Sequence, residues 1–273
     1  MSSRLRVPTQ FYQQFDADYS RAVPAEGYGG WQTAEIEIDP QRTALVVMHA
    51  WDCGTTEEYP GWFRCCAEIP ETYRVCRDVL PGLLDAVRKS PIALFHVVAK
   101  AGYYQTYPGY QRAVALAGPP VTAPTITPDP TYEKLQQFRN DRVFVGTHNQ
   151  ADVARGWARV RFAPPAEPRG EEGIAENADQ LFALCQGAGV NHLIYVGFNL
   201  DWCLLMSPGG MIDMSRRGLI CSTLRQAVTA VENKETARGN LAKEIGLWRV
   251  SVGFGFVFDV TDFVRAIHDH ANH

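Results

Sequence analysis

The sequence predicts an α/β protein: a three-layer α/β/α sandwich around a mainly parallel sheet. Three observations predict it. Short, continuous apolar runs rich in β-branched residues recur along the chain, as in strands buried on both faces. Segments with an apolar stripe at helical spacing separate them. Glycines such as Gly187, Gly189 and Gly218 close the helix-like segments just before the next run. Alternation of this kind lays helices over both faces of a parallel sheet.

The elements follow in order. Residues 1–40 are aromatic and polar without periodicity, including Tyr28-Gly29-Gly30-Trp31, and are expected to form an arm over the domain or a neighbouring subunit. The main domain is expected to span 41–273. Its first strand is 43–48 (TALVVM), followed by a helix over 70–89 with Val75, Val79, Leu83, Leu84 and Val87 on one stripe. A second strand is expected over 91–98. Residues 101–155 are dense in proline (Pro119-Pro120, then Pro124, Pro128 and Pro130), which predicts a long irregular insertion or lid. A third strand is placed at 158–162, ended by Pro164-Pro165. Beyond it the pattern predicts a helix over 174–186, a strand at 192–196, a helix over 201–217 and a strand at 219–223. A further helix, a strand near 253–258 and a helix over 261–268 complete the chain.

Composition narrows the function. The chain has 273 residues, 46% of them apolar and 21% charged, enough for one sizeable core. A net charge of -4 is not the footprint of a nucleic-acid binder, which needs a concentrated basic face. No apolar stretch is long enough to cross a bilayer, so no membrane partner is expected. The start, Met1-Ser-Ser-Arg-Leu-Arg6, lacks the apolar core of a secretory signal. Seven cysteines (53, 65, 66, 76, 185, 203 and 221) are odd in number and scattered, which predicts reduced thiols in a cytoplasmic protein. With Cys65 and Cys66 adjacent and no C-x-x-C pair, a structural zinc is not expected. No glycine-rich phosphate loop precedes a helix, so no nucleotide cofactor is expected either.

The most informative stretch is 194–205, IYVGFNLDWCLL. A buried strand ends at Gly197, a tight connection follows, and Cys203 opens a helical segment at the carboxyl edge where open α/β sheets place their sites. A helix N-terminus favours a thiolate and offers N–H groups to a developing oxyanion. Read without further context, Cys203 is equally a small buried apolar residue.

This stretch resembles the nucleophile motif of the isochorismatase-like cysteine hydrolases, G-V-A-T-D-V-C-V, with Gly197, Asp201 and Cys203 in register. Downstream, Pro208-Gly-Gly-Met211, Arg217-Gly218, Ala230-Val-Glu232, Glu235-Thr236 and Gly253-Phe-Gly-Phe-Val-Phe-Asp259 with Asp262-Phe263 resemble one branch of that family. Residues 43–52 are similar to its first strand, T-A-L-L-V-I-D-M-Q/W-x-D. The resemblance spans roughly 41–268, poorly over 101–170. It implies a hydrolase acting on a small amide or other C–N substrate through a cysteine thioester, and a homo-oligomer with the aromatic arm as a clasp.

The family triad is Asp, Lys and Cys, and here only the cysteine is retained. His49 stands at the Asp position, and Arg161 is the nearest counterpart of the Lys. A histidine there is expected to pair with Cys203 and shuttle its proton, oriented by Asp52. The plain readings are a hydrogen-bonded strand-end residue for His49 and a turn cap before Gly54 for Asp52. Arg161 or Lys100 would supply the positive charge, as a permanent cation or as the missing ammonium. The resemblance assigns the oxyanion hole to the N–H groups of Asn199 and Cys203, with a cis peptide at Phe198–Asn199. Trp51, Trp202 and Phe198 are expected to wall an apolar pocket. His96 and His148 form no His-x-His pair, so no metal is expected. Two alternatives stand beside the hydrolase: a family member that has lost catalysis and binds a ligand or partner, and an isochorismatase-type ether cleavage without covalent catalysis.

Overall fold

The computed structural model describes residues 4–120 and 124–271. Its strands are β1 (Leu5–Gln13), β2 (Gly30–Ile38), β3 (Thr43–Met48), β4 (Trp51–Asp52), β5 (Ala93–Val97), β6 (Arg161–Phe162), β7 (Gly173–Ala175), β8 (His192–Gly197), β9 (Ile220–Val228) and β10 (Val257–Phe258). Its helices are α1 (Pro60–Cys65), α2 (Ile69–Asp78), α3 (Leu80–Arg88), α4 (Pro108–Ala117) and α5 (Pro130–Arg142). They continue with α6 (Gln150–Arg159), α7 (Ala178–Ala188), α8 (Met211–Arg216), α9 (Leu241–Gly253) and α10 (Val260–Ala271).

One eight-stranded sheet runs in the order β2-β1-β10-β9-β8-β3-β5-β7. From β10 to β7 every pairing is parallel, whereas β1 is antiparallel to both β10 and β2. The chain steps outward from β3 through β5 to β7, then returns to the other side of β3 with β8. Strand order therefore reverses between β3 and β8, the switch point where such sheets leave a crevice beyond their carboxyl ends.

Period-two alternation distributes each buried strand between two cores. Leu45, Val47, Ile194 and Val196 face Val75 of α2, Leu83, Leu84 and Val87 of α3, and Phe263 and Ile267 of α10. Ala44, Val46, Met48, Leu193 and Tyr195 face Leu181 and Leu184 of α7, Met211 and Met214 of α8, and Leu247 and Val250 of α9. The result is the three-layer α/β/α arrangement that the sequence predicts.

Several elements differ from the expectation, each for a physical reason. The arm expected over 1–40 does not lie over the domain where it is described: β1 and β2 form a hairpin in continuous register from Leu5–Ile38 to Gln13–Gly30, and it extends the main sheet through β10. The single helix over 70–89 divides at Val79, because Pro81 has no N–H to continue the ladder and starts α3 afresh. Residues 101–155 carry three helices rather than an irregular lid. Pro108 and Pro130 open α4 and α5, and Asp129 caps α5 by accepting from Tyr132 N–H, so prolines mark helix starts here. The strand placed at 158–162 is α6 followed by two residues of β6, which pair with β4 in a separate antiparallel ribbon. The strand beyond β5 is instead β7, which overlaps the start of the segment read as helix 174–186. Its Gly173 packs so tightly that a Cβ would lie 2.8 Å from Leu184 and 2.9 Å from Phe95.

The helix expected over 201–217 is a five-residue π-turn, Leu200–Leu204, then a break at Pro208-Gly209-Gly210 before α8. Gly209 sits at φ +79°, a conformation that ends a helix. β10 is shorter than expected, because α9 continues to Gly253.

Candidate functional site

The switch point brings together the residues that follow β3 and β8. Met48 and Gly197 are paired in register at the two strand ends, and Phe198 N–H donates to Met48 O at 3.0 Å. Gly197 takes φ +112°, and a Cβ there would lie 2.0 Å from Met48 O, so only glycine lets the strands close. The Phe198–Asn199 peptide is cis, as the resemblance implies. The chain then enters the π-turn, where Asn199 O accepts from Trp202 N–H at 3.3 Å and Leu204 N–H at 3.0 Å. Leu200 N–H donates to Thr229 O at 2.8 Å, tying the turn to the end of β9.

Asn199 is fixed on both sides. Its Oδ1 accepts from the Thr229 hydroxyl, and its Nδ2 donates to Glu68 Oε1 at 3.1 Å. Its backbone N–H has no acceptor among the described residues, which leaves that donor available to a substrate oxygen. Burial raises the Glu68 carboxyl above its ordinary range, and Asp201 adds repulsion. Asp201 is raised for the same first reason, although it accepts from Val231 N–H at 2.9 Å. Glu68 and Thr229 were not singled out from the sequence. Thr229 directly follows β9, which runs to Val228, beyond the strand expected at 219–223. Glu68 carries no local signal, because 131 positions separate it from Asn199.

Cys203 is half-buried and packs against the core shared with α7, α8 and α9. His49 leaves β3 with φ +55°, a left-handed backbone uncommon for a histidine. Its ring is 5% exposed and stacks on Trp51, centroids 4.4 Å apart and planes 16° from parallel. Nδ1 is buried with no hydrogen-bond partner among the described residues, and no hydrogen bond joins the ring to Cys203 or Asp52. Burial lowers the imidazole to about 3, so the resting ring is neutral. The Cys–His pair expected from the sequence is thus not formed in this state.

That neutral ring has a consequence for stability. Below pH 6.5 the unfolded chain binds a proton that the native ring refuses until about pH 3. Native stability therefore falls as pH drops through that window and is complete above it. His192, lowered by burial to about 4, acts in the same direction. His49→Asn keeps a residue that tolerates the left-handed backbone and removes one titrating group. Urea unfolding between pH 7 and 4 is expected to lose about one proton of its pH slope. An unchanged slope would mean that native His49 is already charged.

The remaining residues disperse. Asp52 does not orient His49: its Oδ1 accepts from Gly54 N–H and from the Tyr73 hydroxyl, both at 3.0 Å, and Oδ2 lies 3.5 Å from Arg159. The turn-cap reading is the one the geometry shows. Arg161 does not end a strand of the main sheet; it is exposed on the β4–β6 ribbon, opposite Asp52. Lys100 is exposed beyond β5. Neither cation has an ion-pair or hydrogen-bond partner among the described residues. Of the three expected pocket walls, Trp51 covers His49 and donates to the Tyr103 hydroxyl at 3.0 Å. Phe198 is instead core, on the face shared with α2, α3 and α10, and Trp202 is 57% exposed. Among the described residues no three His, Cys, Asp or Glu side chains converge as metal ligands, and no helix is long and apolar enough to cross a membrane.

No family model and no curated protein matches the chain. Among solved structures it is similar to a cysteine hydrolase from Pseudomonas syringae pv. phaseolicola, at 15% identity over 85% of this chain and 95% of that one, with a TM-score of 0.49. It is similar to an isochorismatase-like hydrolase from Alkaliphilus metalliredigens at 16% identity, covering 83% and 96%, with a TM-score of 0.47. N-carbamoylsarcosine amidase from Thermoplasma acidophilum gives 11% identity, 80% and 96%, and 0.42. The strand order and the residues at the switch point are what describe this chain.

Proposed function

We propose that this protein is a cysteine hydrolase that opens a small amide or other C–N substrate through a thioester on Cys203. The observation that carries the reading is the place of Cys203: a half-buried thiol one turn beyond β8, at the switch point of a parallel sheet. The Asn199 N–H, unclaimed and held by Thr229 and Glu68, supports an oxyanion donor beside it. In this reading the Cys203 sulfur attacks the carbonyl carbon, the amine departs with a proton, and water then releases the acid. His49 supplies the proton transfer only once substrate gives its bare Nδ1 a partner, since apo hydrogen bonds at such sites form fully in the complex. Arg161 and Lys100 hold no part in this proposal.

A second reading is a ligand binder without turnover. The desolvated, unpaired imidazole favours it, because a group at about 3 is a poor base at neutral pH. Timed labelling with iodoacetamide at pH 7.5, read cysteine by cysteine by mass spectrometry, separates the two. Burial raises the thiols of Cys53, Cys66, Cys76, Cys185 and Cys221, and that of the more open Cys65 as well, so they serve as internal slow controls. Cys203 is expected to label first. Labelling slower than Cys65 would leave only the binder.

A further inference from the structure

A second open volume lies away from Cys203. A cavity of about 680 Å³ opens between the segment after β5 and the β4–β6 ribbon, within the range of small-molecule pockets. Its wall includes Tyr103, Tyr107, Arg159, Arg161, Phe162 and Glu167, and neither His49 nor Cys203 belongs to it.

The hydrogen-bonding capacity of this wall is unequally spent. Arg159 is engaged at 3.5 Å with Asp52 and 3.4 Å with Glu58. Arg161, which also lines the cavity, has no acceptor among the described residues, so a guanidinium with five N–H donors is left uncommitted there. The Tyr103 oxygen accepts from Trp51 Nε1, which orients the phenol while its own O–H finds no acceptor among the described residues. Glu167 takes the Tyr107 hydroxyl on Oε1 at 2.7 Å and keeps Oε2 for another donor. Between these polar ends stand aromatic rings: Phe162 packs edge-on against Tyr103 at 5.0 Å and Tyr107 at 5.5 Å.

We propose that this cavity is a binding site for a small ring-bearing molecule with a carboxylate at one end and an amine at the other. Arg161 and the Tyr103 hydroxyl receive the carboxylate, the ring lies among Tyr103, Tyr107 and Phe162, and Glu167 Oε2 accepts from the amine. The pocket is lined by none of the proposed hydrolytic residues, so it stands or falls separately from turnover at Cys203.

Calorimetric titration of the whole protein with 4-aminobenzoate tests it, with benzoate and aniline as probes that each lack one end. Saturable binding of 4-aminobenzoate is expected, several-fold tighter than benzoate and tighter again than aniline. Arg161→Ala is expected to weaken it at least fivefold, with Arg161→Lys between; Tyr103→Phe, which keeps the ring and removes only the hydroxyl, should weaken it less. Arg161 is exposed, so its replacement leaves folding intact. No saturable heat with 4-aminobenzoate, an affinity no better than aniline's, or wild-type affinity in both Arg161→Ala and Tyr103→Phe overturns the proposal.

Discussion

Replacing Cys203 with alanine is expected to abolish acyl transfer while leaving the protein folded. With p-nitrophenyl acetate as the probe, the wild-type chain should release a burst of nitrophenolate and carry the acetyl group on Cys203, seen by peptide mass. Cys203→Ala should show neither, and its steady rate should fall by about a thousandfold or more, the scale on which loss of a catalytic nucleophile is felt. Because the side chain is half-buried at the rim of a core, its truncation should move unfolding by about 1 kcal/mol. Cys203→Ser, closer in shape, should be equally slow. Undiminished hydrolysis in both variants would remove the thioester from the reaction.

The second large effect is structural. Gly197→Ala places a Cβ 2.0 Å from a backbone oxygen of the neighbouring strand, and at φ +112° no rotamer relieves it. The strands must part exactly where Phe198 N–H holds Met48 O, and a loss of about 3 kcal/mol or more is expected. Gly189→Ala is the matched control. It too has positive φ, +68°, but its Cβ would meet nothing within 4 Å, so only the backbone cost of about 1–2 kcal/mol remains. Urea midpoints of the two variants read the difference. If both fall equally, the contact at Met48 is softer than its geometry indicates.

These residues also show how far the sequence was legible. β3 and β8 stood out because a strand covered on both faces is a near-continuous apolar run, and after their first residues TALVVM and HLIYVG are. β7 could not stand out in the same way. Three residues beginning with glycine have no period, and what makes them a strand is pairing with β5, nearly eighty residues earlier. Missing β7 moved the third strand to 158–162 and brought Arg161 into the triad with it. The position of Asn199 and Cys203 just beyond a buried strand was legible because strand, turn and cysteine are local. The state of His49 was not, since it depends on Trp51 lying over the ring and on Nδ1 having no hydrogen-bond partner among the described residues. Asp52 looked available until Tyr73 arrived from α2 to take it.

The N-terminal hairpin decides what kind of border the sheet presents to other molecules. Val257 and Phe258 would otherwise offer bare amides and carbonyls to any passing extended chain, but β1 occupies them and β2 becomes the rim. That rim carries Glu35 and Glu37, with Arg6 bridging to the latter at 3.3 Å, so a second sheet edge meets fixed charge instead of an apolar template. At the opposite margin β7 is too short to recruit anything of length. Protection from fibrous self-association is thus written into the first forty residues.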